Sequence, residues 1–327
     1  MLPLTCAISE YDHVRDLASG RVHAEGIALR VLDMPVEEAF FRMIRFEEFD
    51  LSEMSMGRYV SMVSQGDDRF VAIPVFPSRM FRHSSIYVRK DRGINAPADL
   101  TGRTIGVPEW AQTAGIYTRG ILAHHYGVTL KDIRWVQAGI HQTGREEEVS
   151  VQLPDGYRLT RVNDKTLNGM LASGEIDAVM SAHPPHCAED GSAPVGRLFE
   201  DFQSAERAFW RKTGIFPIMH AIVLRRAVFE KHRWIASNLL AAFTEAKERS
   251  IERLKEVTAA RFPLPWSFEY FRQTSASFGD DYWAYGVTPN LTTLNAFLQY
   301  ALEQGVAARP LSVDDLFPAE VRSQFRI

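Results

Sequence analysis

The chain has 327 residues, of which 46% are hydrophobic and 11% aromatic, enough for a packed core in two lobes and too apolar for a disordered segment. Lys and Arg number 37 against 41 Asp and Glu, a formal net charge of −4. That mild acidity argues against a nucleic-acid partner, because phosphate binding needs a broad basic surface.

The first residues, Met1 to Glu10, carry no basic stretch and only a short apolar run. They read as no secretory leader, and the protein as cytoplasmic. No run approaches the roughly 18 apolar residues that span a bilayer, so no membrane partner is expected. Cys6 and Cys187 form no CxxC pair and fit a reducing compartment, with a disulfide between them as the alternative.

Short apolar runs alternate with helical patterns, as in an α/β sheet. Leu4–Ile8 is a strand, followed by a helix over Tyr11–Ser19 that Gly20 stops. Ala28–Leu32 is the next strand, and Pro35 opens a helix through Phe46 with Glu37 and Glu38 in its first turn. Phe49–Met54 is a strand and Met56–Ser64 a helix, after which Phe70–Val75 leads into a cationic cluster. A second series begins with the strand Thr104–Val107 and the helix Thr113–Tyr126, with Gly127 as its cap. Ile133–Val136 and Ile176–Met180 are strands on either side of a helix over Lys165–Ser173. The polar stretch Glu146–Asp164 is expected as a hairpin or an excursion from the sheet. His220–Leu224 is again a strand, and the helices Arg233–Lys255 and Thr292–Gln304 follow.

This order suggests two lobes with interleaved chain: 1–88 with 222–327, and 89–221. Crossovers near Tyr87–Arg89 and Ala221–Leu224 would hinge them. Ligands in such sheets sit beyond the carboxyl ends of strands. Here those ends are Ser9–His13, Glu53–Ser55, Pro108–Thr113 and Ser181–His183, all polar.

The cationic cluster is Pro74–Ser84, which puts Arg79, Arg82 and His83 within five positions between two strand-like runs. Arginine forks hold carboxylates bidentately, so the cluster reads as an anion site, with a surface turn as the alternative. Thr113 opens a helix whose free N–H groups favour a second carboxylate. The His183–Cys187 stretch offers metal-ligand atoms, but two prolines break any regular face, so no metal is expected.

Several stretches together resemble the 4,5-dihydroxyphthalate decarboxylase family, a cytoplasmic enzyme branch of the type II periplasmic-binding-protein fold. They are Glu10–Leu17, Phe49–Tyr59, Pro74–Ser84, Ala111–Leu122, Ile215–His220, Asp281–Asn290 and Tyr300–Phe317. Gly139–Val162, with its run Glu146-Glu147-Glu148, is the least family-like part. The resemblance implies two lobes, each a mixed sheet flanked by helices, with the active site in the cleft between them. It implies loss of one carboxylate from 4,5-dihydroxyphthalate, giving protocatechuate and CO2, with a small aromatic acid as substrate and no organic cofactor. A solute-binding protein for an aromatic acid and a decarboxylase of another hydroxybenzoate are the alternatives.

That reaction needs an acid that protonates the ring carbon bearing the departing carboxylate, and histidine is the natural candidate. His13, beside Asp12, which would orient it, competes with His83, His220 and His183. Arg79 and Arg82 would hold carboxylates. Glu53, Ser55 and Glu109 could accept from ring hydroxyls, and Arg119 is expected in a salt bridge. The aromatic C-terminal third, Trp266–Phe278 and Tyr282–Tyr285, suits either subunit contacts in a homo-oligomer or lobe 1 core.

Overall fold

The computed structural model describes residues 1–322, so the last five residues assigned to lobe 1 lie outside the described residues. Eleven strands run β1 (Leu2–Ile8), β2 (Ile27–Asp33), β3 (Leu51–Ser55), β4 (Phe70–Ile73), β5 (Ile86–Arg89), β6 (Thr104–Val107), β7 (Arg134–Gln137), β8 (Arg158–Arg161), β9 (Ala178–Met180), β10 (Val195–Arg197) and β11 (His220–Arg225). They form a five-stranded sheet in the order β2-β1-β3-β11-β4 and a six-stranded sheet in the order β10-β5-β9-β6-β7-β8. Both are mixed. In the first, β1 is parallel to β2 and β3, while β11 is antiparallel to β3 and β4. In the second, β6, β7, β8 and β9 pair in parallel, while β5 runs against β9 and β10.

The helices Met56–Ser64 and Thr113–Tyr126 have the bounds their patterns dictate, and Gly127 ends the second with φ 67°. Strands β3 and β4 are buried along their whole length, which explains runs without clean alternation. Four expectations shift. The helix after β1 is a single turn, Arg15–Ala18, because Asp12 and His13 sit in the preceding turn. Ile86–Arg89 belongs to the second sheet, so the chain crosses before it rather than at Tyr87–Arg89. The whole of β11 lies in the first sheet, so the return crossing precedes His220. The polar stretch makes no hairpin: β8 adds in parallel to β7 at the sheet edge.

The two helix starts nearest the cavity touch. A Cβ on Gly57 would lie 2.2 Å from the Ala111 carbonyl oxygen, so only glycine allows this approach. None of the described helices is long and apolar enough to cross a membrane.

Candidate active site

A cavity of about 220 Å³ opens where these helix starts meet, lined by both sheets' loops. From the first sheet come Glu37, Phe40, Ser55, Arg58, Arg82, Met219 and His220. The second sheet adds Glu109, Gln112, Thr113, Ala114, Arg145 and His183. A wider outer chamber of about 410 Å³ continues from Glu37, Gln112, Arg145 and His183 toward the loop Gly139–Gly144.

The antiparallel register places His220 opposite Ser55, on the face that Glu53 also presents two residues earlier. His220 Nδ1 lies 2.6 Å from Glu53 Oε1, across 167 positions of chain. Glu53 is wholly buried, and it also accepts from the Tyr11 hydroxyl at 2.7 Å and the Ser9 N–H at 3.2 Å. Burial, with Glu53 adding to it, holds the Tyr11 phenol far above its ordinary range, so it stays a donor. A carboxylate with these donors accepts the hydrogen bond from Nδ1–H of His220 and leaves Nε2 as the ring's free nitrogen. Phe40 packs edge-on against the ring at 4.9 Å. Glu53, expected to meet a substrate hydroxyl, instead orients His220.

Arg82 lines the cavity. Its Nε contacts the Met219 sulfur at 3.1 Å, and no carboxylate pairs with it among the described residues. Burial pulls its pKa down to about 10, the mark of a cation that lacks an anion. Arg79 turns the other way. It donates to the carbonyls of Ala284 at 2.8 Å and Phe216 at 3.4 Å and to the Asn290 side chain, with its guanidinium 5.4 Å from the rings of Phe76 and Phe216. It fastens the C-terminal segment to the crossing chain and does not line the cavity. The expected arginine pair is therefore one arginine.

Two candidate histidines are core residues. His83 is 1% exposed, with neither ring nitrogen partnered among the described residues, and it packs among Tyr126, Phe199 and Phe209. Burial pushes its pKa down to about 4. His13 lies against Tyr11 and Trp283 with a buried, unpartnered Nε2, and burial likewise takes it to about 4. Asp12 does not orient it, because its carboxylate engages Arg253 at 3.0 Å, Arg15 at 3.0 Å and the Ser250 hydroxyl at 2.5 Å. His183 stands at the outer rim, 3.8 Å from Glu37. The nearby Glu37 carboxylate raises His183, and the same contact, reinforced by Arg145, lowers Glu37 to about 2.

Glu109 is 2% exposed and already neutralised. Arg58 reaches it at 3.1 Å and Arg145 at 2.5 Å, so it is not free to serve a hydroxyl. Thr113 Oγ1 accepts from the Gly57 N–H at 2.9 Å and lies 2.9 Å from Ser55 Oγ. With its hydroxyl engaged, the helix start offers backbone N–H groups to the cavity. Among the described residues Arg119 makes no salt bridge: it is buried, bonds Gln304 at 2.7 Å and the Trp110 carbonyl at 2.5 Å, and stacks 3.9 Å over the Trp110 ring. Cys6 and Cys187 are buried free thiols. His141 stacks on His186 at 3.6 Å, and among the described residues no three His, Cys, Asp or Glu side chains gather as a metal site.

Sequence reasoning missed Arg58, Tyr11, Glu37 and Arg145. Arg58 and Glu37 had a signal, each lying in the first turn of a helix that follows a strand. Tyr11 lies in the post-strand loop. Arg145 had none, since it lies at the edge of the polar stretch Glu146–Asp164 that looked like an excursion.

Two mixed sheets with a polar cavity between helix starts define the periplasmic-binding-protein class of fold. The family model described as "ABC transporter, phosphonate, periplasmic substrate-binding protein" matches residues 26–156. The sulfonate-binding protein SsuA of Methylobacillus flagellatus KT superposes with a TM-score of 0.54 at 14% identity, over 97% of this chain and 92% of that one, a likeness of fold alone. Among curated proteins, the 4,5-dihydroxyphthalate decarboxylase of Comamonas testosteroni is 38% identical over 324 residues, 98% of each chain. The enzyme of that name from Pseudomonas putida is 39% identical over 211 residues, 64% of this chain and 82% of its own. The chain belongs to the 4,5-dihydroxyphthalate decarboxylase family.

Proposed function

We propose that the protein decarboxylates 4,5-dihydroxyphthalate to protocatechuate without oxidation, with His220 as the acid. The carrying observation is the buried Glu53 that holds Nδ1 of His220, in the same cavity as the unpaired Arg82. Arg82 grips one substrate carboxylate through its fork, and the start of the Thr113–Tyr126 helix supports the other. The hydroxyl para to the departing group pushes electron density into the ring as Nε2–H of His220 protonates the carbon bearing that group. The C–CO2 bond then breaks, its electron pair restores the aromatic ring, and CO2 leaves. One proton is consumed per turnover, and the neutral imidazole regains it from solvent. Glu53 stabilises the imidazolium before transfer and fixes the ring's orientation.

On this reading the two sheets are the cores of two lobes that hinge at the segments 74–85 and 198–219, with the cavity as their cleft. The free thiols of Cys6 and Cys187 support a reducing, cytoplasmic setting. Self-association rests on the exposed rings of Trp266 and Tyr270, and gel filtration tests it. A receptor for an aromatic acid would use Arg82 and the helix start alone and would leave the Glu53–His220 pair without a task. Incubation with 4,5-dihydroxyphthalate, followed by chromatography and CO2 measurement, tests the proposal. Binding without turnover would replace it with the receptor.

A further inference from the structure

The run Glu146-Glu147-Glu148 follows the cavity-lining Arg145 and does two unlike jobs behind the wall. Glu147 is fixed: it accepts from the Trp110 N–H at 2.6 Å, the Ala111 N–H at 2.8 Å and the Gln137 side chain at 3.1 Å. Glu148 has one partner among the described residues, Nη1 of Arg58 at 2.7 Å, at an angle outside hydrogen-bond geometry. Arg58 itself is 4% exposed and lines the cavity beside Arg82, and its Nη2 stays with Glu109. Glu148 therefore occupies the one guanidinium nitrogen of Arg58 that an incoming carboxylate could take. Its side chain is 30% exposed.

We propose that Glu148 is a displaceable internal anion that sets the site's affinity for dicarboxylates. When a dianionic aromatic acid enters, Glu148 leaves Nη1 of Arg58 for solvent and a substrate carboxylate takes its place. Arg58 then becomes the second guanidinium of the site, in the role first expected of Arg79. The exchange is between one carboxylate and another, so the buried cation is never left bare, which would cost more than either pairing. Partial burial penalises the Glu148 carboxylate and raises its pKa, consistent with a plug that is held weakly. The inference rests on the proposed function for its substrate class.

Calorimetry with 1,2-benzenedicarboxylate, which lacks the hydroxyl needed for turnover, separates the two ideas. An exposed or half-exposed ion pair is worth up to about 1 kcal/mol, so Glu148→Gln is expected to lower the Kd by about three- to fivefold. In turnover, KM falls by the same factor while kcat holds. Glu146→Gln, the same charge change two positions away, is the control and leaves Kd unchanged. An unchanged or raised Kd in Glu148→Gln overturns the inference. So does an equal gain in both variants, which would mean a diffuse charge effect. Loss of turnover on 4,5-dihydroxyphthalate by the unaltered protein, with the calorimetric gain intact, sinks the function and leaves the exchange standing.

Discussion

Ser55 Oγ and Thr113 Oγ1 meet at 2.9 Å, and through this contact the helix that follows β3 is tied to the helix that follows β6. The Gly57 N–H donates to the same threonine oxygen, so one hydroxyl satisfies a helix start and bridges the two sheets' loops. Thr113→Val keeps the shape and removes the oxygen, leaving a buried N–H unpaired. It should cost about 1–3 kcal/mol in chemical unfolding. KM should rise as well, since the helix start that meets the substrate carboxylate loses its anchor.

The Glu53–His220 pair gives the second expectation. His220→Gln should lower kcat by about 10²- to 10⁴-fold, the usual value of a positioned acid, with KM little changed. Glu53→Gln keeps the volume but removes the charge that supports the imidazolium, so kcat should again fall more than affinity. Steady-state kinetics of both variants would settle it: normal kcat in His220→Gln dismisses the acid.

Arg79 and Arg82 should separate cleanly. Arg82→Lys replaces a fork with a point charge and should raise KM about tenfold while unfolding is unaffected. Arg79→Met takes the donor from the buried Asn290 side-chain oxygen and from the Phe216 carbonyl, and should destabilise by about 2 kcal/mol. A strong KM effect confined to Arg79→Met would mean that the assignment is reversed.

Glu206 supplies a pH dependence. Burial raises its carboxyl to about 7, although the Ser84 N–H donates to it at 3.3 Å. A carboxyl raised in the folded state binds more protons there than in the unfolded chain. Its contribution is therefore present below the unfolded value of 4.5 and is lost as pH rises through about 7. Glu206→Gln should flatten the thermal-stability profile between these values, with the gain over the unaltered protein larger at pH 8 than at pH 5.

The architecture was legible because β runs and helix starts carry local signals: the helix Thr113–Tyr126 follows a short apolar strand and ends at Gly127. Strand order was not, since β11 lies between β3 and β4 by long-range pairing that no local pattern encodes. The site divides likewise. His220 and Glu53 were each visible at strand ends, but their bond depends on the β3–β11 register. Arg79 and Arg82 could not be told apart, because the irregular backbone between them has no period to say which side chain faces inward. Arg145 and Glu148 were hidden for another reason. A polar stretch looks solvated until acids and bases distant in sequence are seen to neutralise one another.

The placement of β11 also governs how the chain can be made. A nascent chain that has emerged only as far as Thr213 holds β3 and β4 with no strand to join them, each exposing unpaired backbone. That half-sheet must wait for the whole stretch from Ile73 to His220 to be translated, a long loop to close. Until then its open edges invite pairing with other chains. Cutting the protein between its sheets would thus give two insoluble fragments, and recombinant yield should depend on synthesis slow enough for the late strand to find its slot.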